Sequence, residues 1–423
     1  MRQRELTVFA AVSVSWLLLS TPAAADVKGG DVVTATNVDQ AKDLISPGLE
    51  WVVRHGMKMK IIEPRKIEWP RAYKEATEKY SSQVRLSADG LRLENYVEGL
   101  PFPNIDVNDP KAALKIMWNY DYKPLTTDDV DLREFDADTG PVGTGAQGMG
   151  IERHFILDHF RRLFYNGRLY VDPKPERPNP DGVRYRESLH PFLEPFDLKG
   201  VGATSIRYLD PAKQDDSWLY LPNLRRVRRL STSQRSDALF GQDTDVDSYY
   251  GYSGHIAWMD WKLLGEKTIL GCMHAEHYPV KWGDGAADFM FDDVWEKRQV
   301  YVIEGVSKLP QYAYSKRVMF IDKEAWVVPY SDIYDRAGAL WKIWVNEFSY
   351  KKKPFEGATL SVYQDDMGFV PSIVMVDIQL QHATRAALPS QKVTSEGWFF
   401  NLGEKSGVTE DWFQIAHLIE SGH

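Results

Sequence analysis

The sequence predicts a mainly β (α+β) protein built on one large curved antiparallel sheet, with helices covering its concave side. Short apolar strands separated by tight turns fill residues 151–423, helical patterns are confined to residues 26–125, and no crossover helix separates the strands. A long meander that curls on itself must fill its concave face with side chains or leave a cavity there. Because an amphipathic helix must bury its apolar stripe, we expect the N-terminal helices to close that face around an apolar cavity.

Turn signals recur throughout the strand region. Residues 218–221 turn at Pro222-Asn223 into residues 224–230, and Asn166-Gly167 is a strong hairpin signal between residues 163–165 and 169–171. Further candidate strands cover residues 299–306, 318–321, 326–330, 340–348 and 373–380. These strands predict an antiparallel meander over residues 151–423 that ends in a C-terminal extension.

The chain before the meander divides into two parts. Residues 26–125 form a helix-rich part, in which Asp109-Pro110 is a good helix start because it supplies an N-cap and then proline at the first helical position. Residues 126–150 are acidic at first and then glycine-rich, which predicts a loop.

Residues 1–25 carry the three parts of a secretory signal peptide. Arg2 and Arg4 supply the positive charge, residues 6–19 form an apolar stretch, and the alanines at 23–25 form a small-residue cleavage site before Asp26. The residue directly after that site is Asp26 and not cysteine, so we expect no anchoring by N-terminal acylation. We therefore expect a periplasmic protein, and an uncleaved N-terminal anchor is the alternative.

The composition limits the classes of function. Lys and Arg number 51 against 60 Asp and Glu, so the net charge of −9 argues against a nucleic acid partner, because sequence-independent binding to nucleic acid depends on basic surface. The one cysteine, Cys272, excludes an intramolecular disulfide, and no disulfide partner is expected. Cys272 follows Ile269-Leu270, which favours a buried, inert thiol.

Aromatic residues are abundant, with 14 Trp, 21 Tyr and 18 Phe. Large aromatic side chains often fill a big β-core, and they also line cavities for apolar ligands. The candidates for lining a cavity are those on predicted strands, although the sequence does not fix which face points inward. They are Trp218, Tyr220, Trp258, Trp261, Tyr301, Trp326, Trp341 and Trp344.

Four arginines surround Val227 on one predicted strand, namely Arg225, Arg226, Arg228 and Arg229. They form either a solvated strand face or a docking patch for an acidic partner or a lipid headgroup.

Two clusters of potential metal ligands have unsuitable spacing. His274-Ala275-Glu276-His277 places its side chains on opposite faces of an extended strand. Asp243, Asp245 and Asp247 resemble the start of a calcium loop, but Ser248 stands at the position that requires glycine, so a solvated acidic loop is the better interpretation. We therefore expect no metal and no cofactor. The sequence also lacks the Gly-x-Ser-x-Gly nucleophile motif.

An ordered series of segments resembles the bacterial domain-of-unknown-function family 1329, which is related to the outer-membrane lipoprotein-sorting proteins LolA and LolB. The series comprises residues 99–103, residues 218–222 running into the arginine strand, residues 235–254 with Asp237, Gly241, Asp247 and Tyr252, residues 261–266 and residues 316–326. The resemblance implies a half-barrel closed by helices around an apolar cavity. It also implies a partnership with an inner-membrane exporter of the resistance-nodulation-division type and with outer-membrane components. It transfers no catalytic residues.

These observations lead to the hypothesis of a periplasmic carrier or chaperone for a hydrophobic, lipid-like molecule, without enzymatic activity. Burial of each methylene contributes about 0.8 kcal/mol, so an acyl tail of about sixteen carbons gains on the order of 10 kcal/mol without covalent chemistry. One alternative is an envelope lipid or glycan hydrolase that uses converging carboxylates. A third is a structural adaptor of an export complex, whose sheet is filled by its own side chains.

Overall fold

The computed structural model describes residues 27–231, 234–390 and 396–422. The expected signal peptide and its cleavage site before Asp26 lie outside the described residues. The described helices are α1 (Pro47–Arg54), α2 (Arg71–Tyr80), α3 (Ala112–Asp121) and α4 (Ile415–Glu420).

The described strands comprise two groups. The first group, up to residue 229, is β1 (Val32–Val33), β2 (Met59–Ile62), β3 (Arg85–Leu86), β4 (Leu93–Glu94), β5 (Asp129–Pro141), β6 (Arg153–Phe164), β7 (Val183–Leu189), β8 (Phe192–Glu194), β9 (Gly202–Tyr208), β10 (Asp216–Leu221) and β11 (Arg226–Arg229). The second group is β12 (Met259–Gly271), β13 (Val294–Ser307), β14 (Lys316–Asp322), β15 (Tyr330–Tyr334), β16 (Leu340–Lys351), β17 (Met367–Asp377), β18 (His382–Ala387) and β19 (Trp398–Phe400).

Seventeen of these strands form one sheet, which confirms the prediction of a mainly β protein. From edge to edge the order is β11-β10-β9-β7-β6-β5-β18-β17-β16-β15-β14-β13-β12, and every neighbouring pair along this path is antiparallel. The prediction of an antiparallel sheet holds along this path, but the whole sheet is mixed, because β2 pairs with β13 in parallel. Among the described strands β11 pairs only with β10 and β12 only with β13, so the sheet does not close into a barrel.

The predicted loop over residues 126–150 is wrong for most of its length, because β5 occupies Asp129–Pro141. The acidic residues that suggested a loop belong to the strand. Asp131 is fully buried and accepts hydrogen bonds from Arg133 and Arg161. Asp129 accepts a hydrogen bond from Ser406. Charge near the start of β5 is therefore paired inside the fold, and it does not indicate exposure to solvent.

The hairpin predicted at Asn166-Gly167 is also wrong, since β6 pairs with β7 instead. The reason is the buried carboxylate of Asp128, which accepts hydrogen bonds from the backbone N–H groups of Leu169, Tyr170 and Val171. Those three amides are therefore bound to a side chain and do not enter a strand ladder.

Both faces of the central sheet are buried. Residues opposite each other in antiparallel pairs point to the same side, so register defines a front face that carries Met319, Trp344 and Met375 and a back face that carries Ile343 and Val374. Apolar side chains of α2, α3 and residues 252–259 share one core with the front face, whereas α1 shares a second core with the back face. The N-terminal helices thus cover both faces of the sheet.

The start of α1 is anchored to the back face by one buried carboxylate. Asp332 on β15 accepts hydrogen bonds from Ser46 Oγ at 2.8 Å and from Gly48 N at 3.1 Å. A Cβ at position 48 would collide with the Asp332 carboxylate, so glycine permits this approach. Because burial disfavours the charged form, the pKa of Asp332 rises to about 6.

We expect the Asp332→Asn variant to lose a pH dependence that the wild type shows. The carboxyl group holds its proton more tightly in the folded than in the unfolded chain, so its contribution is complete below about pH 4 and is lost as the pH rises through 6. The free energy of unfolding of the wild type should fall by about 2 kcal/mol between pH 4 and 7 relative to the variant.

Urea titrations at both pH values measure this difference. The exposed change Glu356→Gln is the control and should follow the wild type. Parallel pH profiles for the wild type and Asp332→Asn would contradict the assignment.

Candidate functional site

A small apolar cavity of about 40 Å³ lies on the front face of the sheet. Its wall is formed by strands from both halves of the sheet and by two tyrosines of a long connection. The lining residues are Leu132, Phe135, Phe160, Arg162, Glu187, Leu189, Tyr249, Tyr250, Ser253, Trp344, Ile373 and Leu388. Its volume is close to that of one water molecule and far below the roughly 300–1,000 Å³ of a typical ligand pocket.

An irregularity in β5 widens the apolar wall. Glu134 adopts a positive φ of 58°, which interrupts the alternation of the strand. Leu132 and Phe135 are three positions apart and would point to opposite faces of a regular strand. Because the alternation is interrupted between them, both side chains reach the cavity.

One ion pair forms the polar part of the wall. Arg162 Nε donates to Glu187 Oε2 at 2.7 Å, and the guanidinium lies 4.4 Å from the centroid of the Tyr185 ring. The nearby Glu187 carboxylate raises the pKa of Arg162 above its ordinary value despite the desolvation of the guanidinium. The two charges neutralise each other within an otherwise apolar wall.

The cavity is closed by residues 235–258, which we call the plug segment. This segment contains no strand, and its two 3₁₀ turns are Tyr249–Gly251 and Ile256–Trp258. Tyr250 has a φ of 58°, and Tyr249 packs edge-on against Trp344 with ring centroids 5.7 Å apart. The plug segment therefore places two aromatic rings in the space in front of the sheet.

Three buried carboxylates hold the plug segment, so the prediction of a solvated acidic loop is wrong. Asp243, Asp245 and Asp247 are 6%, 0% and 2% exposed. Asp245 accepts a hydrogen bond from Tyr314 Oη at 2.6 Å, and Asp247 accepts one from Tyr312 Oη at 3.0 Å. Burial raises the pKa of Asp245.

Asp243 has a separate set of partners on β18. Its Oδ2 accepts a hydrogen bond from Thr384 Oγ1 at 2.9 Å and lies 2.8 Å from His382 Nδ1. Asp247 also accepts a bond from Arg235 Nε at 2.5 Å, within the plug segment itself. The three carboxylates thus attach the plug segment to two places, β18 and the connection between β13 and β14.

Backbone carbonyls of the plug segment provide further anchors. Tyr120 Oη on α3 lies 3.0 Å from the carbonyl oxygen of Tyr250 and 2.7 Å from that of Tyr252. Arg317 donates to the carbonyl oxygen of Gly251 at 2.5 Å, and Lys342 Nζ donates to that of Asp243 at 2.9 Å. These polar anchors act together with apolar packing, because Tyr252 and Ile256 of the plug segment belong to the front-face core.

The eight aromatic candidates do not converge. Only Trp344 lines the cavity. Trp261 and Tyr301 lie on the front face inside the core, and Trp326 stacks on Tyr301 from the β14–β15 connection, where its own predicted strand does not form. Trp341 packs edge-on against Tyr314.

Three candidates lie elsewhere. Trp258 belongs to the plug segment, and the guanidinium groups of Arg207 and Arg235 lie 4.9 and 5.0 Å from the centroid of its ring. Trp218 and Tyr220 point to the back face, where the C-terminal residues cover Tyr220. None of the three is among the residues that line the cavity.

Sequence reasoning missed most of the cavity wall. Phe135 lies in the stretch predicted to be a loop, and Tyr249 and Tyr250 lie in the plug segment. The alternation of Phe160, Arg162 and Phe164 was the available signal, since it marks one face of β6.

A larger and more polar cleft of about 650 Å³ lies beside α3 and β7. Arg184 lies in its wall, with its guanidinium 4.0 Å from the centroid of the Tyr122 ring and its Nη1 donating to Asn166 Oδ1 at 3.0 Å. Asp121, Glu176, Asp181 and Asp210 also line the cleft, so both signs of charge are present.

Two groups of potential metal ligands lie away from the cavity and the cleft. Asp136, Asp138 and His154 form one group, and the fully buried Cys272, Asp293 and Glu347 form the other. Burial raises the pKa of both Cys272 and Glu347 well above their ordinary values. Carboxylates of both groups already have protein partners. In the first group, Asp138 lies 2.8 Å from His154 Nδ1 and 3.0 Å from Arg385. In the second, Asp293 accepts hydrogen bonds from the backbone N–H groups of residues 276, 277 and 294.

The His274–His277 cluster separates in the structure. His274 Nδ1 lies 2.7 Å from Glu296, His277 Nδ1 lies 2.8 Å from Asp293, and Glu276 pairs at 3.5 Å with Arg65. Its side chains therefore serve different contacts.

The four arginines lie at one edge of the sheet. Arg226, Arg228 and Arg229 belong to β11, and Arg225 precedes it in the left-handed conformation. All four are exposed, and Arg229 forms an ion pair with Asp216. Among the described residues, no helix has both the length and the apolar character needed to cross a membrane.

Comparisons with known proteins agree over most of the chain. The family model described as "Protein of unknown function (DUF1329)" matches residues 32–414. An uncharacterized protein of Pseudomonas aeruginosa is 26% identical over 326 residues, which cover 74% of this chain and 67% of the relative.

Solved structures with similarity to this chain include three bacterial proteins. A domain from Vibrio parahaemolyticus, named for a proposed role in outer membrane lipoprotein sorting, has 18% identity and a TM-score of 0.48, and the match covers 73% of this chain and 98% of that one. A DUF1329 protein from Desulfovibrio piger has 16% identity and a TM-score of 0.46 over 73% and 98% of the two chains. A LolA superfamily protein from Nitrosomonas europaea has 12% identity and a TM-score of 0.40 over 72% and 98%.

The family match extends from β1 to the residue before α4 and includes every segment of the ordered series identified in the sequence. The chain therefore belongs to the DUF1329 family.

Proposed function

We propose that this protein is a periplasmic carrier for a hydrophobic, lipid-like molecule, which occupies the front face when the plug segment withdraws. The observation that carries the proposal is how the cavity is closed. Its sheet wall is mainly apolar, whereas the segment in front of it is irregular and combines hydrogen bonds and ion pairs with apolar contacts at Tyr252 and Ile256. A cover of this kind can move as a unit while the sheet stays intact.

The energetics permit an exchange between plug and ligand. Breaking each hydrogen bond to a charged group costs about 1.5–3 kcal/mol net, so releasing several anchors is expensive unless a ligand replaces the plug. Each buried methylene returns about 0.8 kcal/mol, so a long acyl chain offsets the loss of several anchors. Binding and plug withdrawal are then coupled, and the closed state excludes water from the apolar wall when no ligand is present.

Removing one anchor should increase ligand uptake. Tyr314→Phe deletes the hydrogen bond to Asp245 and raises the fraction of molecules with an open plug, so the apparent affinity for a fluorescent fatty acid should increase by up to about tenfold. Fluorescence titration of the purified protein measures this change.

The matched control is Tyr363→Phe, which deletes a hydrogen bond to the carbonyl oxygen of Phe400 far from the plug segment. This variant should bind the probe as the wild type does. Equal affinities for Tyr314→Phe and the wild type would show that the plug does not limit binding.

A carrier purified from its host envelope should retain its ligand. We expect native mass spectrometry to detect a lipid-like adduct on the mature chain, in the fraction released by osmotic shock. A bare mass in that fraction, together with no uptake of the fluorescent fatty acid, would contradict the carrier function. Recovery of the chain only with the cytoplasm would contradict its periplasmic location.

We further propose that the carrier works with an inner-membrane exporter of the resistance-nodulation-division type and with outer-membrane components, as its family resemblance implies. Crosslinking in intact cells should recover such an exporter with the wild type. An exporter recovered equally well with an unrelated periplasmic protein would refute the partnership.

The second candidate is a structural adaptor of an export complex, and the volume of about 40 Å³ favours it because an acyl chain does not fit without plug movement. An adaptor would crosslink to its complex but take up no fatty acid in any plug variant. For the hydrolase alternative, the facing carboxylates Asp293 and Glu347 are 1% and 0% exposed and lie away from the cavity, so this pair is not accessible to a substrate.

A further inference from the structure

The front face continues from the cavity to an open edge of the sheet as one row of apolar side chains. Register alone establishes the row: Leu132 lies opposite Phe160, Phe160 opposite Leu189, and Leu189 opposite Ala203. Ala203 in turn lies opposite Leu219, and Leu219 opposite Arg228. Because directly opposed residues share a face, all six side chains point to the front.

Exposure increases along this row. Leu132, at the cavity, is only 3% exposed, whereas Phe160, Leu189, Ala203 and Leu219 are half-buried and Arg228 is exposed. The row is therefore an apolar strip that leads from an enclosed space to a charged edge. Four strand spacings separate Phe160 from Arg228, a span of roughly 19 Å that suits a long acyl chain.

Polar residues limit the width of the strip on one side. In the neighbouring row, Arg162 lies opposite Glu187, Glu187 opposite Ser205, and Ser205 opposite Ser217. An apolar row beside a polar one accommodates a single hydrocarbon chain better than a broad fused-ring body, which would desolvate the polar row.

The charged end of the strip consists of two arginines on the front face. Arg226 lies opposite Leu221 and Arg228 opposite Leu219, whereas Arg229 lies opposite Trp218 on the back face. Within the described residues, Arg229 is paired with Asp216, but no ion pair engages Arg226 or Arg228. Guanidinium groups bind carboxylates and phosphates with paired hydrogen bonds, so these two are available to an anionic headgroup.

We propose that the front face holds a single-chain acyl amphiphile with an anionic headgroup, its tail along the apolar row and its headgroup at Arg226 and Arg228. This inference rests on the proposed carrier function and specifies its substrate class and orientation. The protein has a net charge of −9, so two unpaired arginines at the end of an apolar strip are a local exception to its overall charge.

The test compares ligands that share a tail and differ only in the headgroup. Hexadecanoate, hexadecanol and hexadecylamine compete with a fluorescent fatty acid for the full chain, at low ionic strength and below micelle formation. We expect hexadecanoate to bind about fivefold more tightly than hexadecanol, as two exposed ion pairs allow, and hexadecylamine to bind least tightly.

Two double variants with the same change in charge locate the headgroup. In Arg226→Gln/Arg228→Gln the preference for hexadecanoate over hexadecanol should disappear, while hexadecanol binds as it does to the wild type. The matched control is Arg225→Gln/Arg229→Gln, which changes the turn and the back face of the same hairpin and should keep the preference.

The outcomes separate this inference from the proposed function. Equal affinities of the wild type for the acid and the alcohol, or equal loss of preference in both double variants, would overturn the headgroup assignment and leave the carrier function standing. Failure of all three ligands to displace the probe would overturn both the headgroup assignment and the carrier function.

A third variant tests the path of the tail. Leu219→Asn should weaken the binding of hexadecanoate and of hexadecanol alike, because it interrupts the apolar strip and leaves the charge unchanged. Unchanged binding by this variant would refute the path of the tail.

Discussion

The position of the plug segment in front of the sheet depends on three carboxylates that alternate along a few of its residues. Each is removed from water. Asp243 reaches β18, whereas Asp245 and Asp247 reach Tyr314 and Tyr312 on the connection between β13 and β14. A buried carboxylate without partners is very costly, whereas one with partners fixes the position of its backbone. The charges therefore act as positional restraints, and the aromatic rings of Tyr249 and Tyr250 are placed by them.

The sheet tolerates such a cover because its centre is buried on both sides. β17 is buried along its whole length and β16 along most of it, so apolar packing on the back face holds the sheet independently of what covers the front. Toward β11 this protection is reduced: the C-terminal residues cover the back face there, and the front face is half-exposed. The same sheet thus provides a rigid half and an accessible half.

Much of the strand content could be predicted, because residues 340–348 and 373–380 are apolar runs and 218–230 has a clear turn. The plug segment and β5 could not, since their acidic residues look like solvated charge in the sequence. Their partners are far away in the chain: Asp245 binds a residue 69 positions on, and Asp243 one that is 141 positions on. Period-2 alternation shows that Trp218 and Tyr220 share a face, but only the position of the C-terminal residues reveals that it is the back face.

The pairing of β5 with β18 has a consequence for how this chain acquires its structure. The hydrogen bond between Thr139 and Thr384 joins residues 245 positions apart, and this seam links the half of the sheet that contains β11 to the half that contains β12. A chain that emerges N-terminus first therefore exposes an unpaired edge of β5 until almost the whole polypeptide is available. Long-range pairing of this kind slows folding and leaves strand edges open to aggregation, so holdase chaperones have a long interval in which to act on this protein.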